Sequence, residues 1–225
     1  MSRGIQFNLT ENLYLKDPQN TAYGQRLLQN TVELMAQIGF ESFTFKKLGN
    51  RMKSTETSVY RYFENKHKLL TYICCWYWEW VHYLIDIHTL NVNDPEEVLK
   101  IMIHQLLYAS EESSMTVYIN ESLLHDIVVL EGVKSFHVSE VDKDNDLGFF
   151  DSYKSLNSKI ASIIQEVNPN YPYPESLAIT LNAMAHDQIY FATHFPALSS
   201  FKQRKNLSQI EEMIRHTATA LLLKD

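Results

Sequence analysis

With only two cysteines, six glycines and six prolines in 225 residues, the chain excludes several classes of protein at the outset. Cys74 and Cys75 are adjacent in an apolar stretch, so they neither close a loop nor offer the spaced thiolates of a structural zinc site. The sequence therefore reads as unstapled and suited to a reducing cytoplasm. The scarcity of Gly and Pro excludes collagen-like and low-complexity chains. No run approaches about 18 uninterrupted apolar residues, and Met1–Pro18 lacks a basic segment followed by a long apolar one, so neither a membrane span nor an export signal is expected. Also missing are a Gly-rich phosphate loop, Gly-x-Ser-x-Gly and His-Glu-x-x-His, and the nine histidines are scattered. The expectation is a protein without catalytic activity, metal or cofactor.

Positive charge is scarce overall but is not evenly spread. The chain carries a net charge of −7, a balance that by itself repels nucleic acid. Residues 21–70, however, hold eight Lys or Arg against four Asp or Glu, and residues 71–225 hold ten against twenty-one. A nucleic-acid footprint, if present, belongs in the first of these segments.

Apolar residues recur at spacings of three and four, the period of helices that bury one face. The fold class is read as all-α, with an N-terminal three-helix helix-turn-helix domain and a larger helical domain behind it. An arm at 1–20 contains Phe7, Leu9, Leu13 and Leu15, which suggest packing. Domain 21–70 opens with a helix from Asn20 or Thr21 to Gly39 that turns Leu27, Leu28, Thr31, Val32, Met35 and Ile38 inward. A short helix follows from Phe45 to Met52, capped by Thr44, and the chain restarts at Ser54 and Thr55 for another. Asn65 caps a long helix carrying Trp76, Tyr77, Trp78, Trp80 and Tyr83, which breaks at Asn91–Pro95. In domain 71–225 further helices are predicted near 95–110, 115–131, 147–167, 174–195 and 206–223. Their breaks fall at Gly132, at the polar run Glu140–Asp146, at Asn168–Pro172 and at Pro196–Ser200.

On the second short helix, Val59 and Phe63 can pack inward, while Thr57 with Arg61 and Ser58 with Tyr62 form polar rows on the other side. Small hydroxyls and an arginine suit base edges, and tyrosine hydroxyls suit phosphates. Lys66, at the start of the next helix, adds charge and unpaired amides. The same polarity would also suit a solvated helical hairpin whose tyrosines cap a core.

The stretch from Tyr23 to Leu70 resembles the N-terminal domain of the tetracycline-repressor (TetR) family. The resemblance rests on Gly39-Phe40, on Thr44 opening the second helix, on Tyr60-Arg61-Tyr62-Phe63 and on Lys66-His67-Lys68-Leu69-Leu70, in order and at the family's spacing. It implies that Thr44 contacts phosphate, that Thr55 caps the reading helix, and that Thr57, Ser58, Tyr60, Tyr62 and Lys66 meet DNA. Arg61 and Lys46 join the candidate surface as exposed cations. The turn departs from the family's Ala-Gly-Val-Ser: Met52-Lys53-Ser54-Thr55 places lysine where glycine is usual and serine where a buried valine is usual. Thr57 likewise stands where glycine is favoured.

Behind this head the family shares architecture more than sequence. The resemblance implies a homodimer on a palindromic double-stranded operator, usually as a repressor, released by a small-molecule effector. Leu207, Ile210, Ile214, Thr217 and Leu221 form one narrow apolar stripe, and Leu177, Leu181, Met184, Phe191 and Phe195 another; both suit partner helices or an intrachain core. Effector-pocket candidates are Trp76, Tyr83, Tyr108, Tyr118, His125, Phe149, His186 and Tyr190, each of which would serve equally as ordinary core. The competing reading is a helical protein-interaction module that has lost DNA binding.

Overall fold

The computed structural model describes residues 4–111, 113, 115–201 and 207–223. Among them it contains ten α-helices and no strand. No helix of the described residues is long and apolar enough to cross a membrane, and no group of three His, Cys, Asp or Glu side chains is placed to hold a metal ion. The first three residues of the arm, and Asn206, where the last helix is expected to begin, lie outside the described residues.

The head follows local rules closely. Helix α1 (Ala22–Ser42) starts where Thr21 Oγ1 accepts the Gly24 N–H at 3.0 Å, and it buries Leu27, Leu28, Thr31, Val32 and Met35. Ile38 is only half-buried. Its regular part ends where expected, because Gly39 has φ 70° and ψ 162°, a backbone state that costs a residue without Cβ little. One further turn, Phe40–Ser42, follows this kink. Helices α2 (Phe45–Arg51) and α3 (Glu56–Tyr60) pack on each other, and α2 also packs on α1. Asn65 Oδ1 accepts the Lys68 N–H at 2.8 Å at the start of α4 (Lys66–Thr89).

Later boundaries depart from the sequence reading in two places. Helix α5 (Pro95–Tyr108) ends near its expected limit, but α6 (Glu121–Glu131) begins six residues later than 115. Asn120 caps it through the Leu123 N–H, and the buried Glu121 carboxylate turns back to accept from the Ser113 amide and the Thr116 hydroxyl, which fixes the preceding residues as loop. The expected break at Glu140–Asp146 is instead helix α7 (Val141–Asp146). Asp144 is buried there and meets His67 Nε2 at 3.2 Å, a tertiary contact that holds a helix too short to persist on its own. The break lies after it, and α8 spans Asp151–Val167, with α9 at Pro174–His194 and α10 at Leu207–Leu222.

The chain forms two compact units, one from residues 1–78 with 110–152 and the other from 79–109 with 153–225. In the first, α6 packs along α1, so compactness groups part of the segment beyond residue 70 with the head. The arm belongs here too. Leu9 and Leu13 are buried and Phe7 meets Trp76 edge-on at 5.2 Å, but Leu15 is 59% exposed and does not anchor as expected. The buried Gln19 amide holds the arm's backbone on both sides, accepting from Phe7 N–H at 3.0 Å and donating to its carbonyl at 2.8 Å. The second unit packs α5, α9 and α10 against one another.

Candidate nucleic-acid interface

Thr44 Oγ1 accepts the Lys47 N–H at 3.2 Å and Thr55 Oγ1 accepts the Ser58 N–H at 3.3 Å, so each short helix starts on a threonine cap. Between them the chain reverses within four residues, and Ser54 N–H returns to the Gly49 carbonyl at 2.8 Å. A Cβ on Gly49 would stand 3.0 Å from Glu56 N and from Thr55 C, so the hydrogen at this position is what lets α2 approach the start of α3. Lys53 carries φ 52°, the left-handed state that glycine adopts freely; the lysine takes the turn geometry rather than avoiding it. Ser54, where a buried valine is usual, is half-buried and pairs its hydroxyl with Tyr23 OH at 3.0 Å. A serine there needs such a partner, and α1 supplies it.

Val59 and Phe63 are fully buried, which fixes the outward side of α3. Thr44, Lys46, Thr55, Thr57, Tyr60 and Arg61 are exposed on the two-helix unit, and Ser58 is half-buried. Phe45 supports the Tyr60 ring edge-on at 4.8 Å. Two expected contacts are placed differently. The Tyr62 side chain is 5% exposed; its hydroxyl meets Thr21 Oγ1 at 2.8 Å and its ring stacks on Tyr23 at 5.7 Å. Its hydroxyl therefore anchors the cap of α1 instead of facing outward. Lys66 Nζ donates to the carbonyls of Phe40 (3.1 Å) and Glu41 (3.2 Å). The Gly39 kink leaves end-of-helix carbonyls in need of donors, and the ammonium provides them.

The same joint contains a residue that sequence reasoning missed. Phe40 N–H donates to Glu131 Oε1 at 2.9 Å, and Lys134 bridges Glu131 (2.8 Å) and Glu41 (2.9 Å). The contact spans 91 positions, and no local pattern signals it.

Charge is also sorted by these contacts. Arg51 pairs with Glu33 at 2.6 Å, Lys68 pairs with Glu64 at 2.8 Å, and Lys47 Nζ donates to the Ser42 carbonyl. The side chains of Lys46, Lys53 and Arg61 are exposed and have no hydrogen-bond or ion-pair partner among the described residues. Within the two-helix unit, the positive charge available to a polyanion thus lies on α2, the turn and the end of α3.

The expected effector residues are divided between the two units. In the first, Trp76, His125 and Phe149 are core: Tyr77 OH lies 2.8 Å from His125 Nδ1, and Cys75 Sγ donates to the Phe149 carbonyl. Tyr118 OH serves the arm, donating to the Ile5 carbonyl and Gln19 Oε1, and burial pushes this phenol up to about 12. In the second, Tyr83 stacks on Trp80 and Tyr108 on His104, while Tyr190 packs with Phe191 and Phe195. His186 is buried, with Nδ1 at 2.8 Å from the Asn182 carbonyl. A cavity of about 380 Å³ in the first unit is lined mainly by polar and charged groups at the starts of α4 and α7 and the residues just before them, and of the expected residues Phe149 lines it.

The two apolar stripes are divided as well. Leu177, Leu181, Ile210 and Ile214 are buried by the packing of α9 on α10, so the intrachain core takes these four. Met184, Leu207 and Thr217 are half-buried, and Phe191, Phe195 and Leu221 are exposed.

Residues 27–73 match the family model described as bacterial regulatory proteins, tetR family. No curated protein matches the chain significantly. Among solved structures, AibR in complex with isovaleryl coenzyme A and operator DNA aligns with a TM-score of 0.58 at 12% identity, covering 88% of this chain and 98% of that one. The fatty acid degradation regulator FadR from Bacillus halodurans aligns at 0.59 and 13% identity, covering 87% and 95%. The superantigen PfiT aligns at 0.59 and 18% identity, covering 93% and 100%. At these identities the structural likenesses establish the fold. The family likeness therefore lies in residues 27–73, which hold most of α1, the two-helix unit and the start of α4, and which are similar to the tetR family of bacterial regulatory proteins.

Proposed function

We propose that the protein is a DNA-binding transcriptional regulator that sits as a homodimer on a palindromic operator and is released by a small-molecule effector. Its division of labour is an arm at 1–20, a reading head at 21–70 and a sensing and pairing body at 71–225. The observation that carries this reading is the two-helix unit itself. Both helices are capped by threonine, their inner sides are buried, and Thr57, Tyr60, Arg61, Thr44 and Lys46 stand exposed with unneutralised charge. Thr57, Ser58 and Arg61 are suited to base edges, and Thr44, Lys46, Thr55 and Tyr60 to phosphate oxygens. Lys66 contributes through the joint it holds. The reading is regulatory rather than catalytic, and a regulator of this kind works in the cytoplasm.

Exposed apolar side chains at the end of α9 and beyond, among them Phe191, Phe195, Leu198 and Leu221, support pairing of two copies. A two-fold protein offers two reading helices and therefore expects two half-sites about one helical turn apart, roughly 34 Å. The complex of AibR with isovaleryl coenzyme A and operator DNA supports a ligand-responsive role for this fold. Selection of bound sequences from random duplex DNA tests the reading: a palindrome is expected, with affinity falling steeply as salt is raised. Recovery of no preferred sequence, with binding indifferent to salt, refutes it. The likeness to PfiT keeps a protein-interaction role as the second reading, and salt-insensitive capture of a protein partner in place of DNA would favour it.

A further inference from the structure

We propose that Lys16 and Arg26 form a second phosphate-binding pair that carries the DNA footprint off the two-helix unit, onto the arm and the first turns of α1. The inference rests on the DNA-binding reading above. Leu15 N–H donates to the Tyr62 carbonyl at 2.8 Å, which fixes the arm beside the second residue after the end of α3. Lys16 comes next, with its ammonium 5.5 Å from the centroid of the Tyr62 ring. That ring stacks on Tyr23 at 5.7 Å with an interplanar angle of 22°, and the Arg26 guanidinium lies 5.8 Å from the Tyr23 centroid. Two cations thus rest on a tyrosine pair, and Tyr23 OH ties that pair to Ser54 in the turn that leads into α3.

The chemistry of this row points to a phosphate ligand. A cation lying on an aromatic ring is oriented but keeps its whole charge, whereas Arg51, which meets α1 further along at Asn30 and Glu33, is neutralised by Glu33. Lys16 and Arg26 are exposed and have no carboxylate partner among the described residues, while the tyrosines beneath them are largely or partly buried. An ammonium over one ring of a stacked tyrosine pair and a guanidinium over the other supply charge and register rather than base discrimination. The sequence conceals the pair because its members lie ten positions apart, one in the arm and one in a helix.

Lys16→Gln, Arg26→Gln and the double variant test the proposal in fluorescence-anisotropy titrations against the selected duplex and an unrelated duplex, each across a salt series. Both side chains are exposed, so thermal melting is expected to match the unsubstituted protein. Each substitution is expected to weaken binding several-fold on both duplexes and to reduce the salt slope by about 1, leaving the ratio between the duplexes unchanged. A double variant with unaltered affinity and slope overturns the proposal while leaving the DNA reading intact. A loss confined to the selected duplex overturns the phosphate assignment in favour of base contact. If the unsubstituted protein binds neither duplex, the DNA reading fails and the pair falls with it.

Discussion

Lys53 occupies the left-handed region at φ 52° in the turn between α2 and α3. Its Cβ crowds the following carbonyl there, which costs about 1–2 kcal/mol for an L-residue. Among the described residues the other non-glycine residue at positive φ is Asn91, a type whose short amide tolerates the region. Lys53→Gly removes the strain but returns about 0.5–1 kcal/mol through the greater freedom of the unfolded chain. The net gain is about 0.5–1 kcal/mol, which for a chain of this size corresponds to a rise in Tm of about 1–4 °C. Lys53→Ala keeps the Cβ and so keeps the strain; it serves as the control and should leave Tm close to that of the parent.

Calorimetry on the parent and both variants decides the matter. A glycine variant no more stable than the alanine variant would refute the claim that the turn is strained at this residue. The two variants also separate strain from charge. Both remove the exposed ammonium, so any phosphate contact that it makes is lost equally from each, whereas only glycine changes the melting temperature.

Thr31 is fully buried in α1 and its hydroxyl has no hydrogen-bond partner among the described residues, so Thr31→Val should raise stability by about 1 kcal/mol in urea denaturation; a destabilised variant would show that the hydroxyl is satisfied. Glu131→Ala strips the acceptor from Phe40 N–H and should cost about 1–3 kcal/mol, with Glu131→Gln retaining much of it, as read from urea midpoints. Burial holds the His186 imidazole below its ordinary value, so the folded state keeps it neutral. Its contribution to stability is therefore present above about pH 6.5, where the unfolded chain is also neutral, and is lost as pH falls towards the folded value. Thermal melts of the parent and His186→Gln between pH 7.5 and 5.5, values chosen as about one unit either side of that point, should show the larger acid loss in the parent; parallel curves would refute it.

Features set by neighbouring residues were legible in the sequence. Thr44, Thr55 and Asn65 announce helix starts because a side-chain acceptor two or three residues ahead of unpaired amides is a local requirement. The kink at Gly39 and the burial of Val59 and Phe63 are local in the same sense. What escaped depends on distant partners. Tyr62 and Thr57 look alike as polar members of one short helix and its edge, and only the position of Thr21, 41 residues earlier, decides that the tyrosine turns inward. Helix α7 was hidden because its acidic composition reads as a break, while His67 makes one of those acids part of the interior. The stripes on α9 and α10 show helices with apolar faces, but periodicity alone does not say whether a neighbour within the chain or a second copy covers each face.

The joint at Phe40 gives the ligand-responsive reading a physical element on which to act. One residue, Phe40, just after the kink in α1, is gripped through its N–H by Glu131 at the end of α6 and through its carbonyl by Lys66 at the start of α4. Both bonds involve a charged group, a class worth about 1.5–3 kcal/mol each. A displacement of the last turn of α6 relative to α4 strains one bond or the other, because Phe40 cannot follow both. Moving a population from 1:99 to 99:1 takes about 5.5 kcal/mol, so losing the two bonds together would supply much of that difference. The head therefore does not need a long chain of contacts to register what happens in α6. It needs only that α1 be held at a residue whose backbone partners come from two different helices, and the glycine before Phe40 leaves the start of its last turn free to pivot.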